Sequence, residues 1–217
     1  MMRPHCVAAL ASGLIILASC QTAMQAIVGF REPKPLGRAQ LQKTASRYGI
    51  PQEAHSTVLD TSFYHVLRRM KAQDAETAKN HSQPLQAIYY NAAGQQQSYH
   101  INCYAGGFSN LAWSRDGILA QFPPAQQAPR DSTFTLAEHL RYLRPLNEQP
   151  LSAIKPADYT VVIYWNYFMT RQSRRLIEAV QQNVALAPAG TRIEMVFVNN
   201  DSFYHHIYQQ ANQRTDQ

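Results

Sequence analysis

The sequence predicts a mixed α/β domain, a sheet with flanking helices built around a C-terminal βαβ unit and a central β-hairpin. Three observations carry this expectation. Residues 160–165 (TVVIYW) and 192–198 (RIEMVFV) are β-branched and aromatic runs separated by a helical stretch. Residues 85–90 and 95–103 are two extended runs joined by a turn that closes on Gly94. The chain has only three cysteines and no Cys-x-x-Cys, so no disulfide framework can replace an apolar core.

The elements follow in chain order. Residues 21–36 contain two prolines and no sustained period, and read as a tether. Leu41, Ala45 and Tyr48 then repeat at helical spacing, and Gly49 with Pro51 stops the helix. A short strand over residues 56–59 precedes a helix that Asp60 or Thr61 would cap, with Phe63, Val66, Leu67 and Met70 on one face. Residues 71–82 are polar and nonperiodic, which predicts a surface loop.

Beyond Pro84 the period changes to that of a strand. The hairpin comprises residues 85–90, the turn Asn91-Ala92-Ala93-Gly94 and a return over 95–103, broken by Gly106 and Gly107. Residues 108–113 and 118–122 hold apolar side chains without a firm period, and 123–130 (PPAQQAPR) is a loop. Thr135 and Glu138 have capping-box spacing ahead of Leu136, Leu140 and Leu143, so a helix is expected there that ends by Pro145.

The run at 160–165 is apolar at nearly every position, as a strand covered on both faces would be. A helix from about Thr170 presents Leu176, Ile177, Val180 and Val184 and stops near Pro188 and Gly190. The strand at 192–198 completes the βαβ unit, whose two strands should be parallel. Residues 199–201 should cap a last helix bearing Phe203 and Ile207. The octet from Asp60 to Leu67 (DTSFYHVL) is echoed from Asn200 to Ile207 (NDSFYHHI), both after a predicted strand.

The chain carries 20 basic and 14 acidic side chains, a net charge of +6, with no basic tract. Such a surface leans toward anionic lipid headgroups but lacks the clustered, aromatic-interleaved cations of a nucleic-acid groove, so no nucleic-acid partner is expected.

The amino-terminal segment fixes an expectation about location. Arg3 gives a positive start, residues 6–18 (CVAALASGLIILA) are apolar but too short to span a bilayer comfortably, and Leu17-Ala18-Ser19-Cys20 closes the run. This resembles the lipobox of bacterial lipoproteins. The resemblance implies removal of residues 1–19 as a signal peptide, a diacylglycerol on the Cys20 sulfur and a further acyl chain on its amine. The chain would then hold a tether over 20–36 and a single α/β domain over 37–217, attached to membrane lipid without crossing it. Gln21 stands where an inner-membrane retention signal would place Asp, which points to the outer membrane, facing the periplasm.

A second resemblance concerns the fold. Tyr164-Trp165-Asn166-Tyr167-Phe168 followed by Met169-Thr170-Arg171-Gln172 resembles the start of a thioredoxin-like domain, where a hydrophobic strand runs into Cys-x-x-Cys at a helix N-terminus. Met169 and Gln172 fall on the two cysteine positions, and neither can supply the thiolate that disulfide exchange requires. The hairpin opened by Gln83-Pro84 is similar to the family's other half, in which a cis-proline precedes a hairpin. Here it precedes the βαβ unit instead of following it. The implied fold is a thioredoxin-like sheet in rearranged order, without redox chemistry at the helix start.

Few side chains suggest chemistry. With Cys6 in the signal and Cys20 acylated, Cys103 has no partner within the chain, which leaves it buried as a small hydrophobe, paired between chains or a reactive thiol; burial, the commonest fate of a lone cysteine, is expected. It is also the candidate for catalysis, as the thiol of an oxidoreductase or peroxidase relative. On a regular strand His100 would face the other way, leaving His65, His139 or His205 as possible helpers. His205-His206 lack the spacing of a metal pair and read as a solvated helix face, while Asp60, Asp201 and Glu138 read as caps. No metal or cofactor is implied. The functional expectation is therefore a lipid-anchored, noncatalytic binding or assembly component of the bacterial envelope, with an unidentified protein partner there, set against a thiol enzyme using Cys103.

Overall fold

A computed structural model describes residues 30–107, 110–146, 151, 154 and 157–215. The expected signal peptide, Cys20 and the first part of the tether lie outside the described residues. Among these residues the architecture is mixed α/β, with a six-stranded mixed sheet and seven α-helices. In chain order these are α1 (Arg38–Arg47), β1 (His55–Leu59), α2 (Phe63–Gln73), α3 (Ala75–His81), β2 (Gln86–Asn91), β3 (Gln96–Ile101) and α4 (Asn102–Ala105). They continue as α5 (Leu136–Leu140), β4 (Leu143–Pro145), β5 (Tyr159–Trp165), α6 (Thr170–Val184), β6 (Ile193–Asn199) and α7 (Asp201–Thr215).

The sheet order is β3-β2-β5-β6-β1-β4. The two apolar runs of the βαβ unit pair in parallel, Val162 opposite Val196, and β1 adds to β6 in parallel, Thr57 opposite Val198. The hairpin strand β2 lies antiparallel against β5, Ile88 opposite Val162. Strand β5 is apolar throughout because both of its faces are roofed. Val161, Ile163 and Trp165 meet Leu41 and Ala45 of α1, Tyr48 just after it, and Leu176, Ile177 and Val180 of α6, while Val162 and Tyr164 meet Phe63, Val66 and Leu67 of α2 and Phe203 of α7. A period of two thus feeds two cores from one strand.

Four expectations are corrected. Residues 71–82 are not a loop: α2 runs on to Gln73, and α3 follows, started by Asp74, whose Oδ1 accepts from the N–H groups of Glu76 at 2.9 Å and Thr77 at 3.1 Å. Cap bonds and a Glu76–Lys79 pair at 2.9 Å hold this helix without an apolar stripe. The return strand of the hairpin ends at Ile101, because Asn102 turns its side-chain Oδ1 back to the Leu85 N–H at 3.1 Å and begins a helical turn. Leu143 belongs to strand β4, an edge strand antiparallel to β1, and not to the helix that Thr135 starts by accepting from the Glu138 N–H. Finally, the later part of the expected tether is packed against the body: Leu36 is buried, and the Arg31 N–H donates to the Phe168 carbonyl at 2.8 Å.

The echoed octets begin helices at the ends of neighbouring parallel strands, β1 and β6. Their phenylalanines, Phe63 and Phe203, touch with ring centroids 5.9 Å apart. The copies differ in chemistry. Asp60 accepts from the Ser62 N–H and pairs with Arg144 near the surface, whereas Asn200 is buried.

Candidate functional site

The carboxyl ends of parallel strands, where two helices start side by side, are the usual place for a ligand in an open α/β sheet. In this protein that place is filled by its own side chains. Asn166 follows β5 and is fully buried, as are Asn200 and Asp201 at the start of α7. The Asn166 Nδ2 donates to the Pro84 carbonyl and to Asn200 Oδ1, both at 3.1 Å, and its Oδ1 accepts from the Met169 N–H at 2.8 Å. Asn200 Nδ2 donates to the same Pro84 carbonyl at 2.9 Å. Ser173 of α6 accepts from the Asn166 N–H and donates to its carbonyl. Two asparagines thus tie the head of the hairpin to both strands of the βαβ unit.

Asp201 does not cap its own helix. Its carboxylate accepts from the N–H groups of Tyr167 at 2.8 Å and Phe168 at 3.3 Å, and from Asn199 Nδ2 at 2.7 Å. Burial pushes its pKa up to about 6, against the opposing pull of those hydrogen bonds. The loop that leads into α6 is therefore gripped from both sides.

Met169 and Gln172 sit at this junction, as the aligned letters predict. Both are buried, and Gln172 Oε1 accepts from the Leu111 N–H at 3.1 Å. The peptide bond before Pro84 is not cis; among the described residues the cis bond is Phe122–Pro123. Over the junction lie residues 30–36. Arg31 stacks its guanidinium on the Tyr167 ring, 4.5 Å from the centroid, and donates to the Tyr167 hydroxyl, while the Pro33 carbonyl bonds His205 Nδ1 at 3.0 Å.

Cys103 is elsewhere and, against expectation, exposed. It stands on α4, and its thiol donates to Gln83 Oε1 at 2.8 Å. None of the proposed helpers reaches it. His139 is held between Tyr90 and Tyr164, His205 bonds Pro33, His65 lies against Tyr64, and His100 is buried beside Ser98 and Tyr89. The neighbouring Lys79 is paired with Glu76. His206 bonds Gln210 at 2.9 Å, and no group of three metal-ligating side chains occurs among the described residues.

The sequence reading missed a second polar cluster, on the opposite face of the sheet. His139 Nδ1 lies 2.9 Å from the Tyr90 hydroxyl and Nε2 2.5 Å from that of Tyr164. A neutral imidazole satisfies both, accepting from one tyrosine and donating to the other. Burial lowers the His139 pKa to about 3, helped by His81 nearby. His81 in turn pairs with Asp131 at 3.0 Å. Burial would raise the Asp131 pKa, but the bonds from His81 and Thr133 outweigh it and hold the carboxylate well below its usual range. This cluster is enclosed and braces the sheet against α5 and the loop after β3.

Searches of protein-family models, of curated proteins and of solved structures find no match to this chain. No helix among the described residues is long and apolar enough to cross a membrane.

Proposed function

We propose that this chain is a lipoprotein of the bacterial envelope, held to membrane lipid by an acylated Cys20, and that its body is a thioredoxin-like scaffold with a binding or assembly role instead of a catalytic one. The observation that carries the reading is the state of the β5–α6 junction. Met169 and Gln172 stand where exchange chemistry would need thiols, and Asn166, Asn200 and Asp201 lock the surrounding backbone. Residues 30–36 cover the place, so the segment leading from Cys20 is seated where a substrate would otherwise enter.

The thioredoxin-like ancestry is supported by the way the two resembling halves sit together. The hairpin lies antiparallel beside the first strand of the βαβ unit, and Pro84 bonds directly to Asn166. Outer-membrane residence facing the periplasm rests on Gln21.

The test is fractionation of the native host's cells. The parent chain is expected in the membrane pellet and to resist carbonate extraction, whereas Cys20→Ala accumulates as the longer unprocessed form. Identical size and partition for the two chains would sink the proposal. One observation favours a second reading, a thiol-dependent oxidoreductase: Cys103 is exposed. A pH profile of native alkylation separates the two, since a reactive thiolate titrates well below the free value of about 8.5.

A further inference from the structure

We propose that the face formed by residues 30–36 and α1 is a docking surface for anionic phospholipid headgroups, which lays the body flat on the membrane that holds it. The proposal rests on the anchored reading above and adds to it an orientation and a lipid chemistry. Four cations gather around Tyr167. Arg31 lies over its ring at 4.5 Å and Lys34 at 5.9 Å from the centroid, and Tyr167 lines an open groove of about 370 Å³ together with Lys43 and Arg47, which are one helical turn apart on α1. All four are exposed, and none is in an ion pair with a described residue.

The groove has no acidic lining residue, and within residues 30–47 the cations, Arg38 included, face a single acid, Glu32. Elsewhere among the described residues six Lys or Arg side chains are ion-paired, as Lys79 is with Glu76, Arg192 with Asp158 and Arg144 with Asp60.

The occupant follows from where the chain leads. Arg31 is eleven residues from Cys20, so even a fully extended backbone places this face within about 40 Å of the acylated end. Residues 31–36 are fixed to the body by the Phe168 and His205 bonds, which makes the exit point of the leash and the cationic face the same surface. Each cation held near an anionic leaflet strengthens association roughly fivefold, and the effect disappears with salt.

The experiment uses the full acylated chain purified from membranes and placed in vesicles of phosphatidylcholine, with or without 30% phosphatidylglycerol. A water-soluble acylating ester modifies exposed lysines, read by peptide mass. Expected is a severalfold fall in labelling of Lys34 and Lys43 on the anionic vesicles, with Lys71 on α2 unchanged as internal control. High salt, or Lys43→Glu with Arg47→Glu, should restore labelling at Lys34. Equal labelling of Lys34 and Lys43 on the two vesicle types, or an equal fall at Lys71, overturns the proposal.

Failure of the anchor itself looks different: the chain then leaves phosphatidylcholine vesicles altogether. In that case sedimentation with the anionic vesicles alone, abolished by the two glutamates, still supports the face. Its absence overturns the face as well.

Discussion

Acidification from pH 7 to pH 5 should cost this fold about 2 kcal/mol, and the contributions can be assigned to three buried side chains. His139 and His100 are each about 1% exposed, and burial lowers their pKa values to about 3 and about 4 from the ordinary 6.5. Both are neutral in the folded state across this range, while in the unfolded chain they take up a proton below pH 6.5. Stability is therefore complete above 6.5 and falls as the pH drops, by up to about 1.4 kcal/mol per unit for each ring. At pH 5 each has removed about 2 kcal/mol.

Asp201 works in the other direction. Its folded pKa of about 6 lies above the ordinary 3.8, so the fold binds a proton that the unfolded chain has released, and acidification to pH 5 returns about 1 kcal/mol. Asp131 stays ionised in both states down to pH 5 and adds nothing in this window. The net loss is about 2 to 3 kcal/mol, or roughly a 1 M fall in urea midpoint for a chain of this size. Fluorescence of the buried Trp113 and Trp165 reports the transition. His100→Leu should cut the loss to under about 1 kcal/mol, and Asp201→Asn should increase it to about 4 kcal/mol. A midpoint that holds or rises on acidification, or variants that leave the difference unchanged, would refute the assignment.

Asn166→Ala should destabilise by about 3 kcal/mol or more, because it strands the Met169 N–H and Asn200 Oδ1 in the interior, and a urea midpoint showing less than about 1 kcal/mol would contradict the lock. Asp74→Ala should uncap α3, seen as faster amide exchange confined to that helix, and unchanged exchange there would contradict the cap. Cys103→Ser should leave stability within about 0.5 kcal/mol in the same denaturation assay, as an exposed side chain with one weak bond predicts.

The parts of the fold that were legible in the sequence are those written in a period. Residues 160–198 are continuously apolar or repeat at helical spacing over long stretches; both strands and the start of α6 fall within a residue of their expected ends, while α6 stops at Val184, short of the expected Pro188. The hairpin was legible from Gly94, whose φ of +73° meets the turn's need for a left-handed residue. Helix α3 was hidden because its stability lies in Asp74 and a charge pair, not in apolar spacing. Strand β4 was hidden because Leu143 sits in helical register with Leu136 and Leu140, and only pairing with β1 decides against that register.

The candidate site was half legible. The sequence placed Met169, Gln172 and Asp201 at element junctions, but it read Asp201 as a cap of its own helix, which it is not. That its carboxylate would hold the Tyr167 and Phe168 N–H groups, more than thirty residues away, depends on β5 and β6 being neighbours. The exposure of Cys103 likewise turns on where β3 stops, which Asn102 decides by bonding back to Leu85. Arg31 and Tyr167 are separated by most of the chain, and nothing local in either segment shows that they meet.

Attachment of the body through a modified sulfur is read out by the intact mass of protein extracted from the native host's membranes. Expected is a chain that starts at Cys20 and is heavier than its residues by a diacylglycerol and at least one further acyl group. An unmodified chain, or one starting at any other residue, would contradict it.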